Sequence, residues 1–180
     1  AAVTAAHKAF SSGAWPRTSG AERAALLRRV AARIEAERDE LALIETLESG
    51  KPISQAKDEV ASAAGIWYYA ASLAQHAYGD AHNHLGPNYL AVTVKEPVGV
   101  VGVITPWNFP LLIVSQKLPF ALAVGCTAVI TPSDLTPGTT TRLVQILHDE
   151  WVPNGVVNLV QGGGDVGGWL SSHPGTHMTT

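Results

Sequence analysis

Asn108 stands in the run Trp107-Asn108-Phe109-Pro110, directly after Val98 to Ile104, a nearly unbroken series of Val, Ile and Gly. A side-chain amide set between an aromatic ring and a proline is a rigidly mounted N–H donor. Aimed at a carbonyl oxygen that gains negative charge during a reaction, such a donor stabilises the charge, and losing one costs about 3–4 kcal/mol. The same residue could make a turn or cap the helix that Pro110 opens, and spacing alone leaves these readings level. Lys117, nine residues on, is the only charge between Glu96 and Asp134. A lone Lys in an apolar helix either snorkels to solvent or is held in a site.

A second group follows the apolar run Cys126 to Ile130. Thr131, Ser133 and Asp134 lie where an adenine ribose sits in dinucleotide folds, at the end of a strand. Gly162 to Gly167 matches G-x-G-x-x-G, but it follows the third strand rather than the first, and a lone match is weak in a chain with 17 glycines. It reads as backbone approaching the adenosine side of a nucleotide, in preference to a pyrophosphate finger. Cys126, the single cysteine, precedes a buried strand and reads as a small hydrophobe, not a nucleophile. His82 and His84 have no Cys or paired acid beside them, and His173 and His177 are separated by Pro and Gly. No metal site is expected.

These residues need a scaffold. Val98–Ile104 has the composition of a strand buried on both faces, Cys126–Ile130 reads as a second buried strand and Val156–Val160 as a third, each short and apolar. The helices expected between and after them cover about Leu111–Val124, Pro137–Glu150 and Asp165–Ser171. Strands alternating with helices predict an α/β fold with a doubly wound parallel, Rossmann-like sheet. The preceding segment, 1–79, reads as helical. Ala1–Phe10 is alanine-rich, and Ser19 with Glu22 forms a capping box. Leu26, Leu27, Val30 and Ile34 share one face of the helix that follows, which bends near Arg38-Asp39. Gly50 and Pro52 end the next stretch. A third helix is expected from Ser54 to about Gly79, with a buried stripe of Val60, Ala64, Trp67, Tyr68 and Ala71. Asp80–Asn88 reads as loop and Tyr89–Lys95 as an edge strand.

Composition narrows the function classes. A net charge of -3 gives no reason to propose nucleic acid or an anionic membrane as partner. Nine of the 12 Lys/Arg and nine of the 15 Asp/Glu fall in residues 1–60. That places the solvated helix faces in the first third and sheet with buried helix in the remainder. One cysteine suits a reducing compartment, and with no leader pattern at the N-terminus a cytoplasmic address is expected.

The run EPVGVVGVITPWNFPLL, from Glu96 to Leu112, resembles the aldehyde dehydrogenase superfamily. The likeness extends to Glu48-Ser49-Gly50-Lys51-Pro52, Lys117-Leu118-Pro119, Gly125-Cys126-Thr127, Thr131 to Pro137, Pro153 to Asn158 and Ser172-His173-Pro174. The resemblance implies NAD-dependent oxidation of an aldehyde to a carboxylic acid through a thiohemiacetal, with NADP as the alternative cofactor. It implies that Asn108 serves the oxyanion and Lys117 a proton relay. It implies cofactor contacts from Ile104, Thr105, Pro106, Trp107, Asn108, Thr131, Ser133, Asp134, Gly164 and Gly168. Residues 80–96 would belong to a projection between subunits of a homo-oligomer, a dimer or tetramer. At one place the sequence departs from the pattern: the family usually has Lys-Pro-Ser-Glu where Thr131-Pro132-Ser133-Asp134 stands, so the ammonium is gone and the acid is one methylene shorter. The family's nucleotide loop, general-base Glu and nucleophilic Cys would follow Thr180. The chain therefore reads as an incomplete cofactor-binding domain, inactive alone and without the catalytic domain. The competing reading is a non-catalytic truncated homologue that acts as a nucleotide-binding or subunit-interaction module.

Overall fold

The computed structural model describes residues 1–180. Helices α1 (Ala2–Ser11), α2 (Gly20–Ala36), α3 (Arg38–Ser49) and α4 (Ile53–Leu73) come first. A two-stranded antiparallel ribbon follows, β1 (Ala81–His82) with β2 (Ala91–Val92). The rest is β3 (Val100–Ile104), α5 (Pro110–Ser115), α6 (Leu118–Ala123), β4 (Thr127–Thr131), α7 (Gly138–Asp149), β5 (Val157–Leu159), α8 (Gly164–Ser172) and β6 (Met178–Thr179). β3 to β6 form one parallel sheet in the order β5-β4-β3-β6.

The sheet has a helical layer on each face, and strand alternation sorts the side chains between them. Val101, Val103, Ala128 and Ile130 enter the main core, with Leu27 and Ile34 of α2, Trp67 of α4, Leu111 of α5 and Leu143 of α7. Val100 and Val129 point the other way, onto Val3 and Ala6 of α1 and Leu170 of α8. Gly102 lets α8 come close: a Cβ there would lie 3.2 Å from the Leu170 side chain and 3.3 Å from that of Thr176.

Local chemistry sets the boundaries. Ser19 Oγ accepts the Glu22 N–H at 3.2 Å and Glu22 accepts the Ser19 N–H at 2.9 Å, completing the capping box of α2. The expected bend falls at Glu37, where Arg142 of α7 donates to both Glu37 carboxylate oxygens at 2.8 Å. Gly50 ends α3 in the left-handed region, φ 74°.

Several expectations need correction. The helix expected over Leu111–Val124 is two helices, broken at Gln116-Lys117, where Pro119 starts a new turn and cannot extend the old one. α4 stops at Leu73 rather than near Gly79. Tyr68 leaves the buried stripe, with 37% of its surface exposed and its hydroxyl on Glu35 Oε2 at 3.0 Å. The segment Tyr89–Lys95 pairs only through Ala91–Val92, and its partner lies inside the stretch expected to be loop. β6 carries no strand signal of its own. It is held by the ladder to β3 and by His177 Nδ1, which accepts the Val100 N–H at 3.0 Å. No helix is long and apolar enough to cross a membrane.

Candidate functional site

β3 and β4 pair in register through Ile104 and Thr131, and the contact continues one residue further: the Thr105 N–H donates to the Thr131 carbonyl at 3.2 Å. The two loops therefore leave the sheet side by side at its carboxyl edge. Between them and the glycine turn before α8 lies a cleft of about 410 Å³. Ile104, Thr105 and Pro106 form one wall, Thr131, Ser133 and Asp134 a second, and Gly162 to Gly164 with Gly167 the third.

Two threonines line this cleft. Thr105 and Thr131 are 4% and 3% exposed, and neither hydroxyl has a hydrogen-bond partner. Buried hydroxyls are ordinarily satisfied, and leaving one unpaired costs about 1–3 kcal/mol. The hydroxyls of Thr46, Thr139, Thr140 and Thr176 are buried without a partner as well, so these two do not by themselves single out the cleft. Asp134 is exposed and pairs with no cation, and a Cβ on Gly163 would stand 3.9 Å from Asp134 Oδ2, so the acid overlooks the glycine turn.

The Asn108 loop adjoins the cleft without lining it. Asn108 is exposed, and α5 has no side-chain cap, so its amide does not serve that helix. The loop is held by its backbone instead. Thr136 Oγ1 donates to the Trp107 carbonyl at 3.2 Å, and Lys51 Nζ donates to the Asn108 carbonyl at 2.9 Å. The Asn108 amide is left free to bind something else.

The remaining candidates disperse. Trp107 is 53% exposed and stays out of the cleft lining. Gly168 lies one residue beyond the wall, where Gly167 packs against Ile104. Lys117 is half-buried at the break between α5 and α6, with Nζ on Thr180 Oγ1 at 3.1 Å. Thr180 accepts the Ile104 N–H through its carbonyl, so Lys117 reaches the β6 side of β3, across that strand from the cleft. Cys126 is buried, with its carbonyl taken by Trp15 Nε1 at 3.0 Å.

One cluster is not foreseen from chemistry-bearing motifs. Lys51 Nζ contacts Glu45 Oε1 at 2.5 Å and also Glu59 Oε2, while Gln55 Nε2 donates to Glu59 Oε1 at 2.9 Å. The Glu45 side chain is fully buried and that of Lys51 is 8% exposed. Burial pushes the Glu45 carboxyl up to about 7, helped by its hydrogen bond to Glu59 and opposed by Lys51. Glu59 is also pushed up by burial, but its hydrogen bonds to Glu45, Lys51 and Gln55 outweigh this and hold it below the ordinary range. The proton kept on Glu45 gives its otherwise unpartnered Oε2 a bond to make. A signal was present: Glu45 falls on the Leu41-Ala42 face of α3, and Glu59 within the Ala56-Val60-Ala63 stripe of α4. An acid at an apolar-stripe position needs a partner.

The family model for the aldehyde dehydrogenase family matches residues 1–180. Aminoaldehyde dehydrogenase 2 of Zea mays is 42% identical over 179 residues, covering 96% of this chain and 35% of that protein. Betaine aldehyde dehydrogenase 1 of Oryza sativa subsp. japonica is 42% identical over 180 residues, covering 96% and 36%. The crystal structure of an NAD-dependent aldehyde dehydrogenase from Sinorhizobium meliloti superposes with a TM-score of 0.97 at 49% identity, over 99% of this chain and 36% of that one. A betaine aldehyde dehydrogenase from Staphylococcus aureus in complex with NAD+ superposes with a TM-score of 0.96 at 37% identity, over the same shares. The chain thus spans about a third of the length of the curated relatives it matches, 35–36%.

Proposed function

The chain belongs to the aldehyde dehydrogenase family, and from that premise we propose that it forms the nucleotide-binding and oxyanion-side part of an enzyme that oxidises an aldehyde to a carboxylic acid with NAD. The observation that carries this reading is the cleft at the β3–β4 carboxyl edge, walled by two strand ends and a glycine turn and overlooked by an Asp134 that pairs with no cation, beside a loop whose amide is free.

When bound, NAD supplies the two-electron acceptor. Thr131 and Asp134 hold the adenosine ribose, Thr105 offers a hydroxyl, and Gly162 to Gly164 let the nucleotide approach the backbone. The Asn108 amide donates to the substrate oxygen as it gains charge in the tetrahedral species formed on a thiol. That thiol comes from outside these 180 residues, because the one thiol here, Cys126, is buried in the main core. By itself the chain turns over no aldehyde. Lys117 acts on proton movement from the β6 side, where its Nζ meets Thr180 Oγ1. The exposed apolar residues on and beside the β1–β2 ribbon, Tyr89, Leu90, Val92 and Val94, face a second copy of the chain.

The test is Asn108→Ala in the enzyme that carries these residues. A fall in kcat of about a hundredfold or more, with NAD affinity little changed, is expected. Unchanged kcat with weakened NAD binding would make the loop a nucleotide mount and remove the oxyanion role.

A further inference from the structure

We propose that Lys51, held by Glu45 and Glu59, is the positioning residue for Asn108: its ammonium fixes the Asn108 carbonyl and thereby the direction in which the Asn108 amide points. This rests on the reading that the amide serves the oxyanion.

An ammonium has three donors and no acceptor. Lys51 Nζ meets three acceptors on three separate elements: Glu45 of α3, Glu59 of α4 and the Asn108 carbonyl of the loop before α5. None of its hydrogens is left for solvent. The Phe109 ring lies over it, 4.7 Å from nitrogen to centroid. The cation is aimed from its own backbone. Gly50 turns the chain through the left-handed region at the end of α3, and Lys51 leaves that turn towards the interior. The Lys51 N–H faces Ser49 Oγ at 3.5 Å, and Ser49 Oγ donates to the Glu45 carbonyl at 2.6 Å.

The charges explain why such a cation can be buried. A lone ammonium 8% exposed would be expensive to desolvate, and the two carboxyls offset that cost. Below about pH 7, where burial favours a proton on Glu45, the cluster holds one positive and one negative charge. The other acid nearby on α3, Glu48, is engaged by the Gly138 N–H. The loop and α5 contribute no titratable group, so Lys51 is the only cation at this carbonyl.

The site is built more tightly than loop anchoring requires. Thr136 already holds the Trp107 carbonyl. Lys51 adds the carbonyl of the residue whose side chain does the work, so the carbonyls on both sides of Asn108 Cα are engaged. Misplacing a reacting group by about 1 Å can cost about a hundredfold in rate.

The experiment is a double-mutant cycle in the enzyme, with kcat, aldehyde KM, NAD affinity and Tm read for each variant. Lys51→Met should lower kcat about ten- to a hundredfold with NAD affinity unchanged, and should cost almost nothing further when Asn108 is already Ala. Removing the cation alone leaves a buried carboxylate unpaired. The charge-neutral double variant Lys51→Met/Glu59→Gln therefore keeps the test readable if the single variant does not fold, and it should show the same loss of kcat. Multiplicative effects of Lys51→Met and Asn108→Ala, or full kcat in the neutral double variant, overturn the proposal while leaving the oxyanion role intact. If Asn108→Ala itself keeps full kcat, the underlying reading has failed instead.

Discussion

Both carboxylate oxygens of Glu48 accept the Gly138 N–H, at 2.8 and 2.9 Å, so the end of α3 caps the start of α7 across 90 residues of sequence. α7 has no side-chain cap of its own and begins behind Pro137. Burial raises the Glu48 carboxyl, with the Gly138 and Thr139 N–H groups pulling against it. The segment from Glu48 to Lys51 thus fixes two loops of the candidate site, one through each of its charged residues.

Glu48→Ala should lower the stability of the folded enzyme by about 1–2 kcal/mol, the size of a lost cap with a charged acceptor. Gly138→Ala should do comparable damage by another route, because its Cβ would stand 2.7 Å from Glu48 Oε1. Denaturant titration of both variants checks this. An unchanged midpoint in both would mean that α7 starts equally well without the carboxylate.

Glu45 gives a pH dependence of defined sign. Its folded-state value is raised from 4.5 to about 7, so between those values the folded protein keeps a proton that the unfolded chain releases. Its contribution is full below pH 4.5, declines as pH rises, and is gone above about pH 7. At about 1.4 kcal/mol per pH unit the whole effect is of the order of 3–4 kcal/mol. Glu45→Gln, which imitates the protonated side chain, should remove this slope, and the stability difference between the two proteins should change progressively from pH 5 to 8. A constant difference across that range would show that Glu45 is ionised throughout.

Thr131 and Asp134 bear on cofactor choice. A lysine at 131 could pair with the 2′-phosphate that distinguishes NADP, and Thr131 cannot. Asp134, exposed and unpaired with any cation, would repel that phosphate. NAD should therefore be preferred. Thr131→Lys should raise kcat/KM with NADP relative to NAD by about tenfold, the worth of one charge-assisted contact. A wild-type preference for NADP would mean that a cation outside these residues occupies the phosphate position.

Cys126→Ser should leave kcat unchanged. It should cost about 1–3 kcal/mol of stability by setting a hydroxyl in the main core. Loss of turnover with folding intact would reverse the assignment of Cys126 as a packing residue.

How much of this was legible in the sequence follows from where each signal lay. β3 and β4 announced themselves because strands covered on both faces are rich in Val, Ile and Ala, as Val100–Ile104 and Thr127–Thr131 are, whereas β5 carries Asn158 and is only half-buried. The α2 start was readable because its two partners are local, Ser19 and Glu22. β6 was not, since Met178–Thr179 is a strand only by virtue of β3 beside it. The α5–α6 break had a signal, polar Ser115-Gln116-Lys117 followed by Pro119, but the apolar runs on both sides read as one helix. The candidate cleft was foreseeable from its strand ends, Ile104 to Pro106 and Thr131 to Asp134. The Lys51 cluster was legible only in part: Glu45 and Glu59 at apolar-stripe positions called for a partner, but only the packing of α3, the following turn and α4 makes Lys51 that partner.

The two faces of the sheet are unequally held. The main core has 31 buried residues, while the layer under α1 and α8 has five. Local opening free energies follow the apolar surface each layer buries. α8 should therefore loosen well before β3 or β4. Since α8 carries Gly164 and Gly167, the cleft has two stiff walls from the strand ends and one yielding wall of glycine. Its width is adjustable from one side only, so a nucleotide could enter by displacing α8 without disturbing Asn108 or the clamp beneath it. Amide exchange should then be fast in Gly164–Ser172, slow in Val100–Ile104, and slowed selectively in α8 once the cleft is filled.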